Sequence, residues 1–255
     1  MGEQSVPWLS FSFASVALAC FASGFLRGFV GFGGGLVSVP ILSVVYGPLA
    51  AVPIASIMAL PALFQLLPPA VRDGESSVLI PLGIGILIAA PAGSATLAAI
   101  DPLVTKIAIS LLVLVMVLLL VRNWRLPGAD RTPVLVAAGG VSGFIHGAAG
   151  IGGPPLVAVA LSRPGEARQQ RGNVLGAVAL VSITTVASLW YFGLFTRAVI
   201  VVSLVLVPVY SIGAWLGARY FSGAGQQYYR PIALVLLGVI GVATLGLALL
   251  EYAER

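Results

Sequence analysis

"GFLRGFVGFGGG", residues 24–35, holds six glycines in twelve positions, yet apolar runs flank it on both sides. Glycine is the poorest ordinary helix former after proline. One such stretch would read as a loop. The chain writes it again 119 residues later as "GFIHGAAGIGGP", residues 143–154. Ser23, Gly24, Phe25, Gly28, Gly31, Gly33 and Gly34 coincide at that constant offset with Ser142, Gly143, Phe144, Gly147, Gly150, Gly152 and Gly153. The chain is therefore a tandem repeat: a first half at 1–121, a linker at 122–133 and a second half at 134–255, together one integral membrane domain.

The membrane follows from composition. Of 255 residues, 59% are hydrophobic and only 8% are charged, against roughly 25% charged in soluble domains. Apolar segments at 50–70, 78–98, 102–121, 172–192, 198–219 and 231–250 approach the ~20 residues that cross a bilayer core. Three fall in each half. Loops this short leave no room for a soluble catalytic domain. The net charge of +5 is no nucleic-acid footprint, because the bases sit at helix ends. A lone cysteine, Cys20, excludes an internal disulfide or a cysteine metal cluster. No metal or other cofactor is expected. Asp101-Pro102 reads as an N-cap with proline in the first helical position, and Asn173 as a residue that helps start the helix after Gly172.

Orientation follows from Lys and Arg placement. Arg72, Arg122, Arg125, Arg131, Arg163, Arg168, Arg171, Arg219 and Arg230 gather on one side if 132–162 enters and returns to the same face. Only Lys106, Arg197 and Arg255 then lie opposite. Both termini are predicted extracytoplasmic, the linker cytoplasmic and the two halves inverted. The arms 133–146 and 154–162 look too short to cross, so a re-entrant hairpin with a glycine-rich tip is expected. For the longer arm 8–27 a full span is possible. The predicted fold is thus all-α and polytopic. It has two inverted repeats, each a glycine-broken re-entrant hairpin plus three transmembrane helices, a recurrent transporter design.

Half-helices leaving the two tips would aim free N–H groups and positive dipole ends inward, and glycine lets a ligand approach that backbone closely. An anion site is expected between the tips. Arg27 and His146 are equivalent under the offset and precede the tips, so they are candidate anion donors. Arg27 can instead be a snorkelling anchor, and His146 a hydrogen-bonded structural residue. Gln65 and Thr184 also coincide, and Tyr210 lies mid-helix. These three either line the cavity or hydrogen-bond between helices. All eight acids fall at predicted ends or loops, which disfavours a cation transporter or a carboxylate proton relay.

"SGFLRGFVGFGGGLVSVPIL" and "SGFIHGAAGIGGPPLVAVAL" resemble the paired glycine-rich motifs of the sulfite exporter TauE/SafE family, also called the 4-toluene sulfonate uptake permease family. The resemblance covers nearly the whole chain. It implies a bacterial inner-membrane transporter of a small sulfur-containing anion such as sulfite, thiosulfate, a sulfonate or sulfoacetate, with the lipid bilayer as its other partner. Motif positions Gly31, Gly33, Gly34 and Gly35, and Gly150, Gly152, Gly153 and Pro154, carry over as site candidates. The second tip departs from the first, "GGPP" against "GGGL", so the tips are not chemically equivalent. The motifs leave the substrate, the direction of flux, the coupling ion and the oligomeric state open. Alternatives are a passive anion channel, a non-transporting assembly protein, or a membrane enzyme using Ser142 and His146 one helical turn apart. No Gly-x-Ser-x-Gly elbow surrounds Ser142.

Overall fold

The computed structural model describes residues 11–30, 33–122, 126, 128, 131–153, 155, 156, 159 and 167–220, with isolated positions 242, 245, 246, 249, 250, 252 and 253. Among these residues every regular element is helical. The helices are α1 (Phe11–Val30), α2 (Gly34–Tyr46), α3 (Pro48–Asp73), α4 (Ser76–Ala99), α5 (Pro102–Val121), α6 (Thr132–Ala149), α7 (Ala167–Tyr191) and α8 (Arg197–Tyr220). Helical backbone also occurs at 153, 155, 156 and 159. Five of the six predicted apolar segments thus appear as α3, α4, α5, α7 and α8. The sixth, 231–250, falls largely outside the described residues.

Among the described residues, four helical stretches are long and apolar enough to cross a membrane: Ser76–Ala99, Thr132–Ala149, Gly172–Tyr191 and Arg197–Gly217. Shorter apolar stretches run over Ala14–Phe29, Gly34–Tyr46, Pro48–Phe64 and Pro102–Met116. Large apolar side chains such as Ile80, Leu87 and Ile88 on α4 and Leu204 and Ile212 on α8 are exposed. Such a surface suits lipid, where helix contacts rest on small residues rather than on the hydrophobic effect.

One expectation is corrected. The arm before the second tip is not 14 residues but 18, about 27 Å of helix. Its length therefore gives no argument for a half-helix. Propensity misled here, because Gly139 and Gly147 sit inside a helix for a packing reason. An added Cβ at Gly139 would strike the Leu82 carbonyl oxygen, and one at Gly147 that of Ala90. Gly85 and Gly93 return the approach against Val136 and Phe144. The α4–α6 backbones thus meet without intervening side chains.

The α1–α8 pair is built the same way. Gly24 and Gly28 press on the backbone of Tyr210 and Ala214, and Gly213 and Gly217 on that of Phe21 and Phe25. The two most extensive helix pairings are therefore exchanged between halves: α1 of the first lies along α8 of the second, and α6 of the second lies along α4 of the first. Three further pairings cross between the halves, α3 on α7, α4 on α7 and α3 on α8, beside contacts of α2 with α1 and α3 within the first. The 119-residue offset carries α1 onto α6, the start of α2 onto the helical backbone at 153, and α3 onto α7.

Two local expectations have different outcomes. Asp101 does cap α5, its Oδ1 accepting the N–H of Leu103 at 2.8 Å and of Val104 at 3.4 Å. Asn173 does not start α7, which begins at Ala167. It is buried inside that helix. Its Oδ1 accepts the Glu75 N–H at 2.7 Å, and its Nδ2 donates to Glu75 Oε1 at 3.2 Å. It therefore ties α7 to the α3–α4 turn.

Candidate functional site

Both glycine tips break the helix by the same means. Gly33, at φ 87°, caps the N-terminus of α2, and Gly150, at φ 69°, caps the C-terminus of α6. These are left-handed conformations that side chains resist. The tips then meet. A Cβ added at Gly35 would strike the Gly150 carbonyl oxygen, and one at Gly34 would come within 2.6 Å of the Tyr210 hydroxyl.

Each tip is pinned by a serine from the preceding helix. Ser23 Oγ donates to the Gly34 carbonyl at 2.5 Å, joined by Ser38 Oγ at 3.1 Å. Ser142 Oγ donates to the Gly152 carbonyl. Ser23 and Ser142 are fully buried and are repeat equivalents. The hydrolase alternative loses its geometry here. The Ser142 hydroxyl is engaged with the tip backbone, and His146 Nδ1 accepts the Gly152 N–H at 3.1 Å. That bond leaves Nδ1 without a proton, so Nε2 is the ring nitrogen that can donate.

Between the tips lies a cavity of ≈ 20 Å³, room for about one water molecule. Arg27, Gly35, His146, Gly150 and Tyr210 line it, five of the predicted site residues. Arg27 is only 5% exposed. Its guanidinium lies in hydrogen-bonding reach of the Tyr210 hydroxyl. Its Nε and Nη2 have no hydrogen-bond partner among the described residues. A guanidinium buried this way does not snorkel, and a buried charge left without partners is strongly disfavoured.

The other candidates divide. Gly33, Gly34, Gly152 and Gly153 make up the tip backbone around the cavity. Thr184 is not among the lining residues, and its hydroxyl donates to the Leu180 carbonyl of its own helix at 2.9 Å. Gly31, Pro154 and the side chain of Gln65 lie outside the described residues. Three lining hydroxyls were not anticipated: Ser38, Ser56 and Ser182. Their counterparts at the repeat offset are Val157, Leu175 and Leu63, so a comparison that keeps only shared residues passes over them.

Over residues 16–244 the sequence matches the family described as Sulfite exporter TauE/SafE. The chain belongs to that family. Nothing matches it among the curated proteins, and nothing among the solved structures. The TauE/SafE match takes in both tips, both serine latches and every lining residue of the cavity. TauE/SafE is a family of membrane transporters, not of enzymes, so the chain is a multi-pass membrane protein of the exporter type.

Proposed function

We propose that this TauE/SafE protein carries a small sulfur-containing oxyanion across the bacterial inner membrane, binding it between the two glycine tips near the bilayer midplane. The observation that carries this reading is the buried Arg27 guanidinium with Nε and Nη2 unsatisfied among the described residues. In an arginine these two N–H groups share one edge and run nearly parallel, the arrangement that grips two oxygens of one oxyanion. The N-terminus of α2 adds dipole charge of the right sign at the same place. Tyr210 and His146 Nε2 add neutral donors.

The test is a thermal-shift panel on the purified protein with sulfite, thiosulfate, sulfoacetate, methanesulfonate and matched carboxylates. The true substrate at a hundred times its dissociation constant is expected to stabilise by about 2.7 kcal/mol. A panel in which no oxyanion shifts the midpoint rejects the proposal.

The inverted arrangement belongs to the same proposal. It rests on the reciprocal helix pairing and the asymmetry of basic residues, no longer on short arms. A reporter fused after Arg255 is expected to score extracytoplasmic, and one inserted within 122–133 cytoplasmic. A cytoplasmic score at the C-terminus overturns the assignment.

A further inference from the structure

We infer that the seat between the tips takes its ligand as a singly charged oxyanion, two of whose oxygens lie on the Nε–Nη2 edge of Arg27. This rests on the proposed anion site and specifies the charge state it selects.

The charge balance of the cavity carries the inference. Among the described residues, Arg27 is the only lining side chain that bears a fixed charge. Lining residues from α2, α3 and α7 are glycine, alanine and serine, and α8 contributes Tyr210. The titratable neighbours of Arg27 are His146 on α6 and Tyr210 on α8, and neither is a carboxylate. His146 spends Nδ1 as acceptor for the Gly152 N–H, so in this arrangement the ring is neutral and adds a dipole rather than a charge.

The α2 N-terminus brings about half a positive charge and the C-terminus of α6, capped by Gly150 in the lining, about half a negative one, so the single charge of the guanidinium sets the balance and neutralises one negative charge. A dianion would keep an uncompensated charge away from water, which costs several kcal/mol. A second proton on the seat would have to go on His146 Nδ1 and break its bond to the tip. The free donors match the same description. Two parallel N–H groups hold two oxygens, and the hydroxyls of Ser182 and Tyr210 are disposed around the remaining space, those of Ser38 and Ser56 already donating to the Gly34 and Val52 carbonyls. A third oxygen, protonated in hydrogensulfite or accompanied by a carbon on the sulfur in a sulfonate, is thus accommodated without further charge. Hydrogensulfite and alkyl sulfonates fit. Sulfite and sulfate dianions do not.

The test is calorimetric titration of the full-length purified protein with methanesulfonate, sulfite and sulfate, on both sides of the second ionisation of sulfite. Methanesulfonate is a monoanion throughout, and its affinity is expected to stay flat. Sulfite is expected to weaken by about tenfold for each pH unit above that ionisation, as the competent species is depleted. Sulfate is expected to bind at least tenfold more weakly than methanesulfonate at every pH. Sulfite that tightens with pH overturns the inference, as does sulfate equal to methanesulfonate, while either result leaves the anion site standing. Parallel weakening of sulfite and methanesulfonate also overturns it, because the titrating group then belongs to the protein. No binding by any of the three removes both the inference and the anion site beneath it.

Discussion

Replacing Arg27 by glutamine is expected to weaken oxyanion binding by roughly thirty- to several-thousand-fold, the ~2–5 kcal/mol lost when one member of a desolvated charge pair is removed. The same substitution is expected to leave the ligand-free protein as stable as before or more so. Arg27 is 5% exposed with two guanidinium nitrogens unsatisfied among the described residues. In the absence of an anion its charge therefore costs stability. Opposite signs for binding and stability are the signature of a binding residue. Arg27→Lys separates charge from geometry. A lysine keeps the charge but offers a point donor in place of a planar edge, so an intermediate affinity is expected. Calorimetry and thermal melts on the same purified samples decide. A structural anchor would show a lowered melting temperature and an unmoved dissociation constant, and that pair of results removes Arg27 from the site.

Gly35→Ala is expected to cost at least tenfold in transport and about 1–3 kcal/mol in stability, the range for overpacking a filled interior. Its single methyl would enter the Gly150 carbonyl oxygen of the opposite tip. Backbone stands on both sides of that contact, so relief requires the tips to move apart. Gly140→Ala is the matched control. It lies in α6, and its nearest atoms to an added Cβ are the Gly85 carbonyl oxygen at 3.9 Å and the Ala89 Cβ at 4.0 Å. These are ordinary van der Waals distances, so the methyl fits without displacement, and alanine is the better helix former by about 1 kcal/mol. Uptake into proteoliposomes and melting temperature are expected to be unchanged or improved for Gly140→Ala. Gly35→Ala with wild-type uptake would show that tip contact is irrelevant to transport.

The helices and the seat were legible in the sequence for different reasons. Helices α3, α4, α5, α7 and α8 follow from apolar length alone, since hydrocarbon forces the backbone to satisfy itself. The grouping of candidates around one cavity was legible from the repeat: an offset that aligns Arg27 with His146 and one glycine tip with the other singles out residues that come together when the tips pack on each other. That logic reached Arg27, Gly35, His146 and Gly150, and it failed for Thr184, which shares the offset with Gln65 but bonds its own helix. It also passed over Ser38, Ser56 and Ser182, because the seat is asymmetric at the hydroxyl level and symmetry filters such residues out. The length of α6 was hidden for another reason. Glycine in a helix predicts weakness only when nothing packs against it, and the partner backbone of α4 is not visible in the sequence of α6.

The exchanged helix pairs have a consequence for biogenesis. The most extensive contacts of α1 and of α6 cross between the halves: α1 awaits α8, and α6 reaches back to α4. Strand-swapped dimers share this logic, here with the two protomers fused into one polypeptide. Helix α1 begins at Phe11 and its partner at Arg197, so at about 5–20 residues per second the ribosome needs roughly ten seconds or more to deliver it. Through that interval the glycine face of α1 stands open in the bilayer. Insertion and assembly are thereby separated in time, and a chaperone or a neighbouring nascent chain has a window in which to occupy the unfilled groove.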